Sequence, residues 1–107
     1  MKHWSVIYTD SAKIDRNQLD NSVRTLVDKA IRKVSQNPLP KSEGGFGNPL
    51  GHRQGKNLTG LYKITLKKQG IRVVYELIRK GKTMQIVVIA ARADDEVYSI
   101  ASERVAR

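Results

Sequence analysis

Hydrophobic and polar positions along the chain fall into three regimes. The first is a short β-like run. His3, Trp4, Ser5, Val6, Ile7, Tyr8 and Thr9 are rich in β-branched and aromatic residues and read as a strand. Asp10 and Ser11 then offer helix-start chemistry, with a short helical turn through Ala12 and Ile14. Asp15 followed by Gln18 has the spacing of a capping box. After it, Leu19, Val23, Leu26, Val27, Ala30, Ile31 and Val34 recur every three or four residues. That is one apolar helical stripe, and Asn37-Pro38 ends it. Core packing explains such a stripe more simply than a cofactor site does.

Residues 37–60 form the second regime. They hold all three prolines and six of the eight glycines. Gly44-Gly45-Phe46-Gly47-Asn48-Pro49-Leu50-Gly51 is expected to form neither a regular helix nor a long strand. We read residues 41–58 as a Gly-rich basic loop, long enough in so small a domain to suggest function.

The third regime alternates with a period of two. Leu61–Leu66, Ile71–Ile78 and Met84–Ala91 read as strands, separated by the turns Lys67–Gly70 and Arg79–Lys82. Two short turns imply an antiparallel meander. A short amphipathic helix near Glu96–Arg104 follows, with Asp94 or Asp95 as its cap. The expected architecture is a single α+β domain spanning residues 1–107. Its N-terminal strand and helix pair cover one face of a mainly antiparallel sheet, and a short helix closes the chain. The other sheet face is then left for basic side chains.

Charge sharpens this picture. The 107 residues carry 20 Lys/Arg against 10 Asp/Glu, a net charge of +10. Residues 41–82 hold 10 basic and 2 acidic groups, net +8, whereas residues 83–107 hold 3 and 4, net −1. A concentrated excess points to a surface facing a polyanion, nucleic acid above all. The chain has no cysteine, which removes disulfides and thiolate metal sites and suits a reducing cytosol. The two histidines have no second ligand at metal spacing, so no metal is expected. No apolar run approaches a membrane span, and the first residues turn polar too early for a signal peptide. A cytoplasmic protein is expected.

On the strand 61–66, Lys63, Thr65 and Lys67 share a face. Arg72 begins the next strand, Arg92 follows the last one, and Tyr98 lies early in the last helix. Paired as the turns suggest, these side chains line one cationic face suited to phosphate, with a tyrosine ring to stack on a base or ribose. Arg53, Lys56, Lys67 and Lys68 extend that cationic surface. Structural roles are also open. Arg72 has possible carboxylate partners in Glu76 or the last helix, Arg92 in an ion pair, and Tyr98 suits the core.

GLYKITLKKQGIRVVYEL, followed by VVIAARADDEVYSIASERV, resembles the RelE branch of the RelE/ParE toxin superfamily, the toxins of bacterial type II toxin–antitoxin systems. The resemblance spans essentially the whole chain. It implies a ribosome-dependent endoribonuclease that cuts mRNA in the A site by attack of the ribose 2′-hydroxyl, with no metal or cofactor. It also implies Lys63, Arg72, Arg92 and Tyr98 as the catalytic set. Family members often carry a second lysine two residues after the first, where this chain has Thr65. Lys67, His52 or Lys56 are the available substitutes as base. The implied partners are the ribosome, mRNA and an antitoxin with an acidic toxin-binding segment that displaces the last helix or covers the active face. The alternatives are a ParE-like inhibitor of DNA gyrase without nuclease activity, or a catalytically weak member that binds RNA or antitoxin.

Overall fold

The computed structural model describes residues 4–53 and 55–105, with the side chains of His52 and Arg53 outside the description. The elements in order are β1 (Ser5–Tyr8), α1 (Asp10–Asn17), α2 (Asn21–Ser35), β2 (Asn48–Arg53), β3 (Lys56–Leu66), β4 (Ile71–Ile78), β5 (Thr83–Ala90) and α3 (Asp94–Val105). A 3-10 turn, Lys41–Glu43, lies between α2 and β2. The five strands form one sheet in the order β1-β5-β4-β3-β2. Only β1–β5 is parallel; the other three pairings are antiparallel. The α+β architecture and the meander β3-β4-β5 are those expected from the alternation.

The helix pair is cut differently from the capping-box reading. Thr9 caps α1, its hydroxyl accepting from the Ala12 N–H at 3.1 Å. Asp15 lies inside α1 because its carboxylate is engaged elsewhere, with Arg104 and the Ile89 N–H. Arg24 of α2 donates to the Arg16, Asn17 and Leu19 carbonyls, so one guanidinium ties the end of α1 and the turn after it to α2.

Part of the expected Gly-rich loop is a strand. β2 pairs with β3 from Asn48↔Lys63 to Arg53↔Lys56, with a register shift between Pro49 and Gly51. Gly51, at φ +63°, makes that irregularity feasible, and Pro49 is tolerated because β2 is an edge strand. Upstream, the buried Tyr75 hydroxyl donates to the Pro38 carbonyl at 2.8 Å and its ring stacks on Tyr62. A Cβ on Gly47 would come within 2.7 Å of both that hydroxyl and that carbonyl, so the segment closes only over a glycine.

Both sheet faces are covered, not one. Ala12, Val27, Ile31 and Val34 pack against Tyr62, Ile71, Val73, Tyr75, Met84, Ile86 and Ile89. On the opposite face Val97, Tyr98 and Ala101 of α3 pack against Leu50, Leu58, Leu61, Val74, Val87 and Val88. The cationic side chains therefore share the second face with α3. That helix starts earlier than expected. The Val97 N–H bonds to the Ala93 carbonyl, so Asp94 opens the helix instead of capping it. No helix among the described residues is long and apolar enough to cross a membrane.

β1 covers β5 only as far as Tyr8↔Ile86. Beyond that point β5 carries a bulge, since Val88 faces Val74 and Ile86 faces Tyr75, leaving Val87 as the extra residue. Side chains take over where β1 stops. Asp15 accepts from the Ile89 N–H at 3.0 Å, and Arg104 donates to the Val87 carbonyl at 2.9 Å and to Asp15 at 2.6 Å. This pair closes the open strand edge and fastens the end of α3. Asp15→Ala orphans the Ile89 N–H and removes the counter-charge of Arg104. Urea unfolding should show a loss of about 1–3 kcal/mol. An unchanged midpoint would show that the contact carries no stability.

Candidate functional site

The cationic cluster is positioned by strand register. β3 and β4 pair with Lys63↔Val74 and Thr65↔Arg72. Side-chain alternation then puts Lys63, Thr65, Arg72 and Val74 on the α3 face. Lys63 and Arg72 converge on one carboxylate, Asp94. Arg72 donates from Nε to Asp94 Oδ1, and Lys63 Nζ stands 3.5 Å from Asp94 Oδ2. Arg72 also donates to the Arg92 carbonyl at 2.9 Å. Its partner is therefore a residue of the last helix, one of the two structural alternatives open in the sequence.

Desolvation pushes the Asp94 carboxyl up, but the Arg72 hydrogen bond and the charges of Lys63 and Arg72 outweigh it and hold the group below the usual carboxylate range. The Asp94 side chain is 40% exposed, so the ion pair remains open to solvent.

Tyr98 lies under this cluster. It is 5% exposed, packed in the α3 core, and Lys63 Nζ stands 5.7 Å over its ring centroid. That is cation–π distance. A ring so buried offers little face to a base, and its contact is with Lys63.

Arg92 stands differently. Its carbonyl is tied to Arg72, but its guanidinium pairs with Glu96 at 3.1 Å, both side chains 58% exposed. An exposed i,i+4 pair is worth only about 0.3–0.5 kcal/mol, so little holds the guanidinium there. Arg92 also lines a notch of about 520 Å³ along the uncovered edge of β5, with Asp15, Ala91 and Arg104. A second groove, about 560 Å³, lies between β1, α1 and α2 around the Arg16–Asp28 pair. It contains none of the expected site residues.

The remaining expected residues separate into two groups. Lys67 and Lys68 are exposed in the β3–β4 turn, at the same end of the strands as Arg72. Arg53 and Lys56 face one another across the far end of the β2–β3 hairpin, with His52 beside them in register with Asn57. Seven strand residues from Lys63 to Lys56 are about 23 Å. The register therefore does not bring His52 or Lys56 to Lys63. Thr65 is exposed opposite Arg72. Among the described residues no group of three or more His, Asp or Glu is placed to hold a metal ion. Asp94 was missed as a site residue because a helix-opening acid reads as a cap; the signal was Arg72's need for a partner 22 residues away.

The mixed five-stranded sheet, with a helix pair on one face and a terminal helix on the other, is a fold shared with RelE toxins of known structure. No family model matches the chain. It is 27% identical over 104 residues to an Escherichia coli protein described as a RelE-like toxin, covering 94% of this chain and 96% of that one. A double-arginine mutant of E. coli toxin RelE in the free state superposes with a TM-score of 0.76 at 24% identity, over 97% of this chain and 99% of that one. In the RelBE2 toxin–antitoxin complex from Mycobacterium tuberculosis, the matching chain gives 0.67 at 24% identity, over 88% and 97%. Fold and whole-chain likeness agree: the chain has the fold of the RelE toxins and resembles a RelE-like toxin over nearly its whole length.

The carboxylate bridge has a direct test. Arg72→Ala removes the hydrogen bond and one cation, so the Asp94 carboxyl should titrate higher, back toward 3.8, the ordinary value. The sign for stability follows. The bridge stabilises the fold above the ordinary carboxylate pKa, and this is lost as pH falls through the lowered Asp94 value. In Arg72→Ala that acid-side loss of stability should shrink. Side-chain carboxyl NMR titration reads the first effect; an Asp94 that titrates identically in both proteins would mean the bridge does not form.

Proposed function

We propose that this protein is the toxin of a toxin–antitoxin pair and a ribosome-dependent endoribonuclease that cleaves mRNA in the A site. The observation that carries the reading is the convergence of Lys63 and Arg72 on one anionic group, solvent-accessible beside α3. The similarity to RelE toxins supports it. Several similar structures, among them RelBE2 and E. coli RelBE, are toxin–antitoxin complexes, which supports an antitoxin partner here.

Attack by a ribose 2′-hydroxyl, its proton passing to the base, forms a bond to phosphorus while the bond to the 5′-oxygen breaks; the leaving oxygen takes a proton from water, leaving a 2′,3′-cyclic phosphate and a 5′-hydroxyl. The five-coordinate transition state gathers two negative charges. Lys63 and Arg72, on adjacent strands, are preorganised to stabilise them. Arg92, released from its weak pair with Glu96, supports the leaving 5′-oxygen. Tyr98 holds Lys63 in place through its ring and packing. Lys63 or Lys67 is the base on this reading. Arg53, Lys56 and Lys68 dock RNA beyond the cut.

In a translating extract, mRNA ends should map to cuts phased with codons. Arg72→Ala and Arg92→Ala should lower cleavage about 10²–10³-fold, the scale of losing one charge-stabilising donor. Normal cleavage by a folded Arg92→Ala protein removes that residue from the machinery. Intact mRNA with inhibited DNA supercoiling would replace this reading with gyrase poisoning.

A further inference from the structure

Lys63 and Arg72 are fixed by neighbouring strands, whereas the anion they hold is delivered by a helix. Asp94 is the first residue of α3 and is joined to β5 only by Ala91–Ala93, all exposed. Its two oxygens are divided between the cations, Oδ1 to Arg72 and Oδ2 to Lys63. Two non-bridging oxygens of a phosphodiester would be divided in the same way. The site also stays wet, with the three side chains 22%, 27% and 40% exposed.

Building on the nuclease reading, we propose that Asp94 is the resident occupant of the phosphate subsite and must be exchanged for the RNA phosphate. It thereby weakens the hold of Lys63 and Arg72 on resting and reacting phosphate alike, by the cost of displacing the carboxylate. Two cations face one carboxylate, so the pair keeps a net +1. A resting phosphodiester carries one negative charge and merely replaces Asp94 like for like. The transition state carries two and matches both cations. An incumbent of charge −1 therefore cancels most of the gain from binding resting RNA and subtracts the same amount from the transition state. Isolated RNA is bound weakly. RNA presented by further contacts elsewhere displaces the carboxylate.

Asp95 supplies the internal control. It lies in the same first turn and is exposed, and no ion pair to Lys63 or Arg72 is described for it. Asp95→Asn changes net charge and the helix start as Asp94→Asn does, without touching the subsite.

The test titrates the isolated protein with a non-cleavable 2′-deoxy dinucleotide at low salt, followed by NMR. Asp94→Asn should bind it about tenfold more tightly than wild type, the order expected when one charge-assisted competitor is removed. Asp95→Asn should change affinity less than about twofold. Adding Arg72→Ala to Asp94→Asn should abolish the gain. If Asp94→Asn does not fold, Asp94→Ser, which keeps a helix-capping group, takes its place with the same expectation. Equal gains in both Asn variants would reduce the effect to net charge and overturn the proposal. So would unchanged or weaker binding in Asp94→Asn. Because the readout is binding without a ribosome, it is separable from the nuclease reading. Tighter binding by Asp94→Asn with no codon-phased cutting by wild type would sink the nuclease and leave the exchange standing.

Discussion

The second sheet face depends on one carboxylate. Asp94 joins two cations that would otherwise repel each other on adjacent strands, and it pins the start of α3 beside them. The helix needs such fastening. It buries only Val97, Tyr98 and Ala101 among the described residues, a small apolar contact for 12 residues. Its other end is held by Arg104 on Asp15 and on the bulged strand β5. α3 is thus docked by a narrow apolar strip between two ionic ends. The ion pairs at Asp94, the more exposed end, give way to competing charge more readily than core packing does. An element held in this way can respond to an anion.

The sequence exposes what depends on local period and hides what depends on topology. The meander was legible because Leu61–Leu66 and Ile71–Ile78 alternate between turns, and α2 because Val23, Val27, Ile31 and Val34 follow helical spacing. Lys63 and Arg72 were legible as neighbours for the same reason. β2 was not, because a strand containing Pro49 and Gly51 draws its order from pairing with β3 and not from its own residues. Asp15 read as a cap because nothing near it in the chain shows that β1 stops short and leaves the Ile89 N–H to be satisfied. Asp94 and Glu96 read as an acidic helix start. Their ion pairs with Arg72 and Arg92 exist only once α3 folds back over the sheet.

Geometry also divides the basic charge. The +8 of residues 41–82 is not one cluster. Lys63 and Arg72 are at one end of the β3–β4 pair, whereas Lys56 and Arg53 are at the far end of the hairpin. On the proposed reading the first pair does chemistry and the second docks RNA. Arg92 comes from a stretch of net −1, with its own carboxylate partner in the first turn of α3. On that reading Lys63 and Arg72 share one internal acid, Arg92 has another, and the outlying basic residues supply the attraction.

The central claim is that this face stabilises attack by a ribose 2′-hydroxyl. The most direct measurement replaces that hydroxyl by hydrogen at one mapped cleavage position of an mRNA, in a translating extract containing the protein. The account predicts that cutting stops at the substituted nucleotide and continues at unmodified positions, leaving 2′,3′-cyclic phosphate and 5′-hydroxyl ends. Undiminished cutting at the deoxy position would contradict it.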